Sequence, residues 1–63
     1  MKLNLLKKKR TELGYDLSYV TSKTGISISS LSLYERGKVT PSADKLYKIC
    51  AVLKLKMEDI LGK

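Results

Sequence analysis

The sequence predicts an all-α fold of five helices, and three observations carry that expectation. Apolar residues recur at intervals of three and four along most of the chain, which is the period of a helix face. No run alternates apolar and polar residues in the way a half-buried strand requires. Glycine and proline fall between the periodic stretches, at Gly14, Gly25, Gly37, Pro41 and Gly62, where they end or start helices rather than interrupt them.

In the first helix, Leu3, Leu6, Arg10 and Leu13 form one mostly apolar stripe flanked by Lys7, Lys8 and Lys9, and Gly14 closes it. Asp16 has the side chain of an N-cap, able to accept a hydrogen bond from an otherwise orphaned helix amide. Leu17, Val20, Thr21 and Thr24 then share a face of the second helix, which Gly25 ends. Ile26 leads into a second N-cap, Ser27. Leu31 and Tyr34 form the inward face of the third helix, with Ser29, Ser32 and Leu33 opposite and Gly37 as its stop. Pro41-Ser42 reads as the start of a fourth helix with Ser42 as its N-cap, in which Asp44 lies near the positive end of the helix dipole and Leu46, Ile49, Cys50 and Leu53 face inward across the preceding pair. Leu55 to Leu61 suggests a short fifth helix with Glu58 and Asp59 in its first turn and Gly62 beyond its end. Its cap is poor, because Lys56 stands at the N-cap position.

A chain of 63 residues is expected to form one domain, residues 1–63, without linker, repeat or low-complexity tail. A domain this small buries roughly 60% of its unfolded surface, so an enclosed substrate cavity would consume most of its core. Thirteen Lys and Arg against six Asp and Glu leave a net charge of +7, which suits a polyanionic partner. A membrane is the weaker choice, since no apolar run approaches the ~20 residues that span a bilayer. The segment Lys2 to Leu6 is too short and too interrupted for a signal peptide, and the expected location is the cytoplasm.

Catalysis finds no footing in this composition. The chain has no His and a single Cys, so a general base of the commonest kind and an activated thiol are both missing. The four glycines are too widely spaced for a phosphate loop, and ligands for a metal are lacking, so neither metal nor cofactor is expected. Cys50 lies in a helix-patterned apolar segment and reads as a small buried hydrophobe.

What remains is a pair of helices around Gly25, spanning about residues 16–36, with a cationic loop after the second. That arrangement can place one helix in the major groove of DNA. The string Arg10, Leu13-Gly14, Val20, Gly25-Ile26-Ser27, Leu31, Tyr34-Glu35-Arg36-Gly37-Lys38, Pro41-Ser42, Leu46, Ile49, Leu53 and Ile60-Leu61 closely resembles the Cro/repressor-type, or XRE-like, helix-turn-helix family. The likeness extends from about Asn4 to Leu61, and its most specific element is Glu35 to Lys38 followed by a proline. It implies a five-helix bundle of the lambda-repressor-like DNA-binding domain type, whose second and third helices form the helix-turn-helix. Such domains usually meet two-fold symmetric operators as dimers.

The resemblance also implies roles for particular residues. Arg10 and Glu35 match an ion pair between the first helix and the end of the third. Ser27, Ile28, Ser29, Ser32 and Leu33 fall at base-reading positions. Phosphates are expected at the start of the second helix, near Leu17 and Ser18, and at Arg36, Lys38, Thr40 and Ser42 in the loop after the third, with Lys9 and Lys23 as additions. Many phage members carry Gln at the first position of both helices, where the amides brace each other and one reads adenine. This chain has Leu17 and Ile28 instead. Neither can make a bidentate contact to a base edge, so direct readout is expected to be sparse, resting on serine hydroxyls and thymine methyls with a share from DNA shape. Leu17, Ile28 and Leu33 are expected to form an exposed aliphatic patch.

The reading that follows is a bacterial or phage transcriptional regulator, a repressor that binds operator DNA through its third helix. With no further domain expected, control would come from concentration, oligomeric state or a protein partner. A homodimer would use Leu55, Met57 and Leu61, although Leu55 and Leu61 also suit closure of the core. Two alternatives stay open on the sequence. One is a protein-binding adaptor or antirepressor with little specific DNA binding, and the other is an antitoxin that binds both DNA and protein.

Overall fold

The computed structural model describes residues 1–62 and forms, among them, α1 (Asn4–Glu12), α2 (Leu17–Thr24), α3 (Ile28–Glu35), α4 (Ala43–Leu53) and α5 (Met57–Leu61). No strand occurs among the described residues. The predicted caps set the helix starts. Asp16 accepts the Tyr19 amide at 2.8 Å, Ser27 that of Ser30 at 3.1 Å and Ser42 that of Lys45 at a longer 3.4 Å.

Helix ends follow from backbone geometry. Gly37 has φ +71°, and its N–H donates to the Tyr34 carbonyl at 3.0 Å while that of Lys38 donates to Leu33 at 2.9 Å. This pair of bonds satisfies two orphan carbonyls and turns the chain sharply away from α3. The same pattern ends α1, where Gly14 and Tyr15 donate to Thr11 and Arg10. At the end of α4, Lys54 rather than a glycine takes the left-handed conformation, with φ +59°. The short fifth helix begins at Met57, so Leu55 belongs to the connection before it. Its weak cap is offset in part by Asp59, whose carboxylate accepts the Lys56 amide at 3.2 Å.

The apolar faces converge on one core. Leu3 and Leu6, Val20, Leu31 and Tyr34, and Leu46, Ile49, Cys50 and Leu53 are all buried, as are Ile26 in the turn and Ile60 in α5. Helix α4 packs against both α1 and α2, and α3 packs against the same two, so the helix pair sits on a rigid base. The chain ends are tied together by the Lys2 amide, which donates to the Ile60 carbonyl at 2.6 Å. Cys50 is 2% exposed, and burial, aided by the charge of Asp59, pushes its thiol above the ordinary range. It is a packing residue, as its place in the apolar pattern suggested. No helix among the described residues is long and apolar enough to cross a membrane.

Candidate nucleic-acid interface

The unit formed by α2 and α3 owes its angle to three consecutive residues. Gly25 supplies φ +76°, Ile26 is buried beneath the turn, and Ser27 caps α3. Thr24 secures the same corner from inside, where its hydroxyl donates to the Val20 carbonyl at 2.8 Å and accepts the Ile26 amide at 3.2 Å. With Leu31 and Tyr34 turned inward, the opposite surface of α3 faces out. Ile28 is 46% exposed there, Ser29 is exposed, and Ser32 and Leu33 are half-buried.

Ser27 plays a narrower part than a base-reading position implies. Its hydroxyl accepts the Ser30 amide and donates to the Ser30 hydroxyl at 3.0 Å, so the cap draws on both its lone pair and its proton. The expected aliphatic patch is smaller too. Leu17 and Leu33 are only partly accessible, and Leu17 packs against the core, because it lies three residues before the buried Val20 and shares its side of the helix. Ile28 is therefore the most exposed member of that trio.

Backbone-contacting candidates lie beside this surface. Arg36, Lys38, Thr40 and Ser42 are all exposed in the segment after α3. The Arg36 side chain leans back toward its own helix, with Nε 3.4 Å from the Ser32 carbonyl. Pro41, within the same segment, is buried. At the start of α2, Ser18 is exposed, and the amides of Leu17 and Ser18 lie in the first turn, where no preceding helical carbonyl exists to accept them.

Behind the loop, Arg10 and Glu35 meet in a two-pronged ion pair. Arg10 Nε lies 2.7 Å from Oε2 and Nη2 lies 3.0 Å from Oε1, while Nη1 donates to the Tyr15 carbonyl at 2.9 Å. One guanidinium thus joins α1, the turn before α2 and the last residue of α3. The bond to Glu35 holds the Arg10 pKa above its ordinary value against the opposing effect of burial.

One group at this surface escaped the sequence reading. Tyr15 and Tyr19 stack with ring centroids 4.4 Å apart, Tyr19 is 39% exposed, and Lys23 Nζ lies 5.6 Å from the Tyr19 ring. Tyr15 precedes the Asp16 cap and lies outside α2, so no helical spacing signalled the pair. Lys23 is thereby drawn toward an aromatic face, and Lys9 is half-buried. Elsewhere, Leu55 and Met57 are half-buried against the core and Leu61 is 41% exposed. Core closure at this end is the work of Ile60.

Two short helices about a glycine turn, the second displayed above a cationic loop that an ion pair braces, define a helix-turn-helix domain. The family described as Helix-turn-helix (HTH_3) matches residues 6–60, and the chain belongs to it, within its XRE-type DNA-binding transcription regulators. Among solved structures, the SinR protein/SinI protein complex is similar with a TM-score of 0.88 and 38% identity, covering 100% of this chain and 62% of that one. This chain therefore spans less than two thirds of that protein. SinR in complex with DNA, described as the master regulator for biofilm formation, gives a TM-score of 0.86 and 39% identity over 97% of this chain and 98% of that one. No curated protein matches the sequence.

Proposed function

We infer that the chain is a transcriptional repressor that binds operator DNA sequence-specifically, with α3 in the major groove. The start of α2 at Leu17 and Ser18, and the segment carrying Arg36, Lys38, Thr40 and Ser42, would hold the flanking phosphates. The observation that carries this reading is the outward face of α3 next to an exposed cationic segment, with the last residue of α3 tied to α1 by the Arg10–Glu35 pair. The net charge of +7 and the existence of a DNA complex for a 39% identical structure support it. On this reading residues 1–63 form one DNA-binding domain that works in the cytoplasm, and its operator is two-fold symmetric, bound by a homodimer that pairs through Leu55, Met57 and Leu61.

Selection of duplexes from a random pool at moderate salt tests the proposal. Enrichment of two inverted half-sites about one helical turn apart, ~34 Å, is expected, and a promoter carrying them should lose output when the protein is present. A pool that remains random after repeated rounds rejects sequence-specific binding. A second reading, control by a protein partner, is favoured by the SinR protein/SinI protein complex among the similar structures. It predicts a partner that competes with the selected duplex.

A further inference from the structure

We propose that Ile28 is the specificity-determining residue of this interface, and that the base it selects is a thymine recognised through its C5-methyl group. The inference rests on the DNA-binding reading above and adds to it the chemistry of the preferred site. Recognition helices lead with their first residues, which reach deepest toward the base edges. In α3 those residues are Ile28, Ser29 and Ser30, after the cap Ser27. The hydroxyls of Ser27 and Ser30 are bonded to each other at 3.0 Å, and Ser27 also takes the Ser30 amide. The Ser27 proton is thereby committed to the cap and the half-buried Ser30 already accepts it, so the most accessible uncommitted hydroxyl at the tip of the helix is that of Ser29, which can donate or accept and so discriminates poorly.

Ile28, by contrast, projects from the same first turn with 46% of its surface exposed. An aliphatic group pressed against a major groove meets donors and acceptors from guanine, adenine and cytosine, each of which it would strip of water without replacing a hydrogen bond. Thymine alone offers an apolar group there. Burying that methyl against Ile28 gains affinity, and the same contact penalises every other base. Leu33 does not compete for this role, since it lies more than a turn further along α3 and is half-buried.

The test uses the intact protein and the duplex obtained by selection. A thymine should be enriched at one position of each half-site, and replacing it by deoxyuridine, which removes only the methyl, should weaken binding about three- to fourfold, the worth of one buried methyl group. The I28A variant should bind the thymine and deoxyuridine duplexes equally. Its far-ultraviolet circular dichroism should match the parent, because the side chain lies outside the core. Equal binding of both duplexes by the unmodified protein overturns the assignment even if DNA binding is tight. Retained discrimination in I28A overturns it as well and moves the contact to another residue. Failure to bind any selected duplex instead removes the DNA-binding reading itself, and this proposal with it.

Discussion

Arg10 shows how much a single side chain contributes at the residue scale. Its three hydrogen bonds reach two different segments, and both partners are largely covered, with side-chain exposures of 11% for Arg10 and 9% for Glu35. An exposed pair would contribute ~1 kcal/mol or less, whereas removing one member of a covered pair leaves the other charge without compensation and costs about 3–5 kcal/mol. R10M also leaves the Tyr15 carbonyl without its donor. For a domain of this size each kcal/mol moves the melting temperature by about 4–8 °C, so R10M should lower Tm by more than about 10 °C. Thermal denaturation followed by circular dichroism decides the matter, and an unchanged Tm would show the pair to be incidental. Removing both charges together, in R10M/E35L, should be milder than the single change.

At the scale of helices and turns, the caps divide into those with suitable chemistry and those without. Asp16 and Ser27 accept amides at short distances, and Gly25 and Gly37 sit where φ is positive. Lys54 does not fit this pattern. It ends α4 at φ +59° and ψ +37°, with the Leu55 amide donating to the Cys50 carbonyl at 2.9 Å. A left-handed conformation costs a residue with a Cβ roughly 1–2 kcal/mol, and glycine largely avoids that cost while adding entropy to the unfolded chain. K54G should therefore raise stability by about 0.5–1 kcal/mol, read as a higher urea midpoint with an unchanged slope; an unchanged or lower midpoint would mean that the lysine is not strained there.

The same division explains what could be read in advance. Helix identities, the inward residues of α4 and the three N-caps were legible because the chemistry of Asp16, Ser27 and Ser42 is local. Lys54 gave no warning, since its side chain has none of the chemistry that marks a left-handed helix end. Lys56 was legible as the N-cap of the last helix, whereas the Asp59 carboxylate that reaches back to its amide was not. The candidate site was legible by position but not by accessibility. The family resemblance put Leu17, Ile28 and Leu33 on one surface, and only the packing of α2 and α3 shows that Leu17 leans against the core while Ile28 is left outside.

For the whole molecule, the excess of positive charge and the shape of α3 should control different properties of DNA binding. Charge acts through the phosphates. Each phosphate neutralised releases condensed counterions and contributes about −0.9 to the slope of log K against log salt, whatever the base sequence. Lys38 is exposed just after α3, three residues beyond the Glu35 that Arg10 holds. K38A should weaken binding by a similar factor on selected and random duplexes and make the slope shallower by about 0.9. Ile28 carries no charge, so I28A should alter the preference among duplexes and leave the slope unchanged. Titrations of both variants on both kinds of duplex, repeated at several salt concentrations, separate the two contributions. A loss in K38A confined to the selected duplex, with the slope intact, would mean that Lys38 reads bases and that the loop after α3 is not a phosphate clamp.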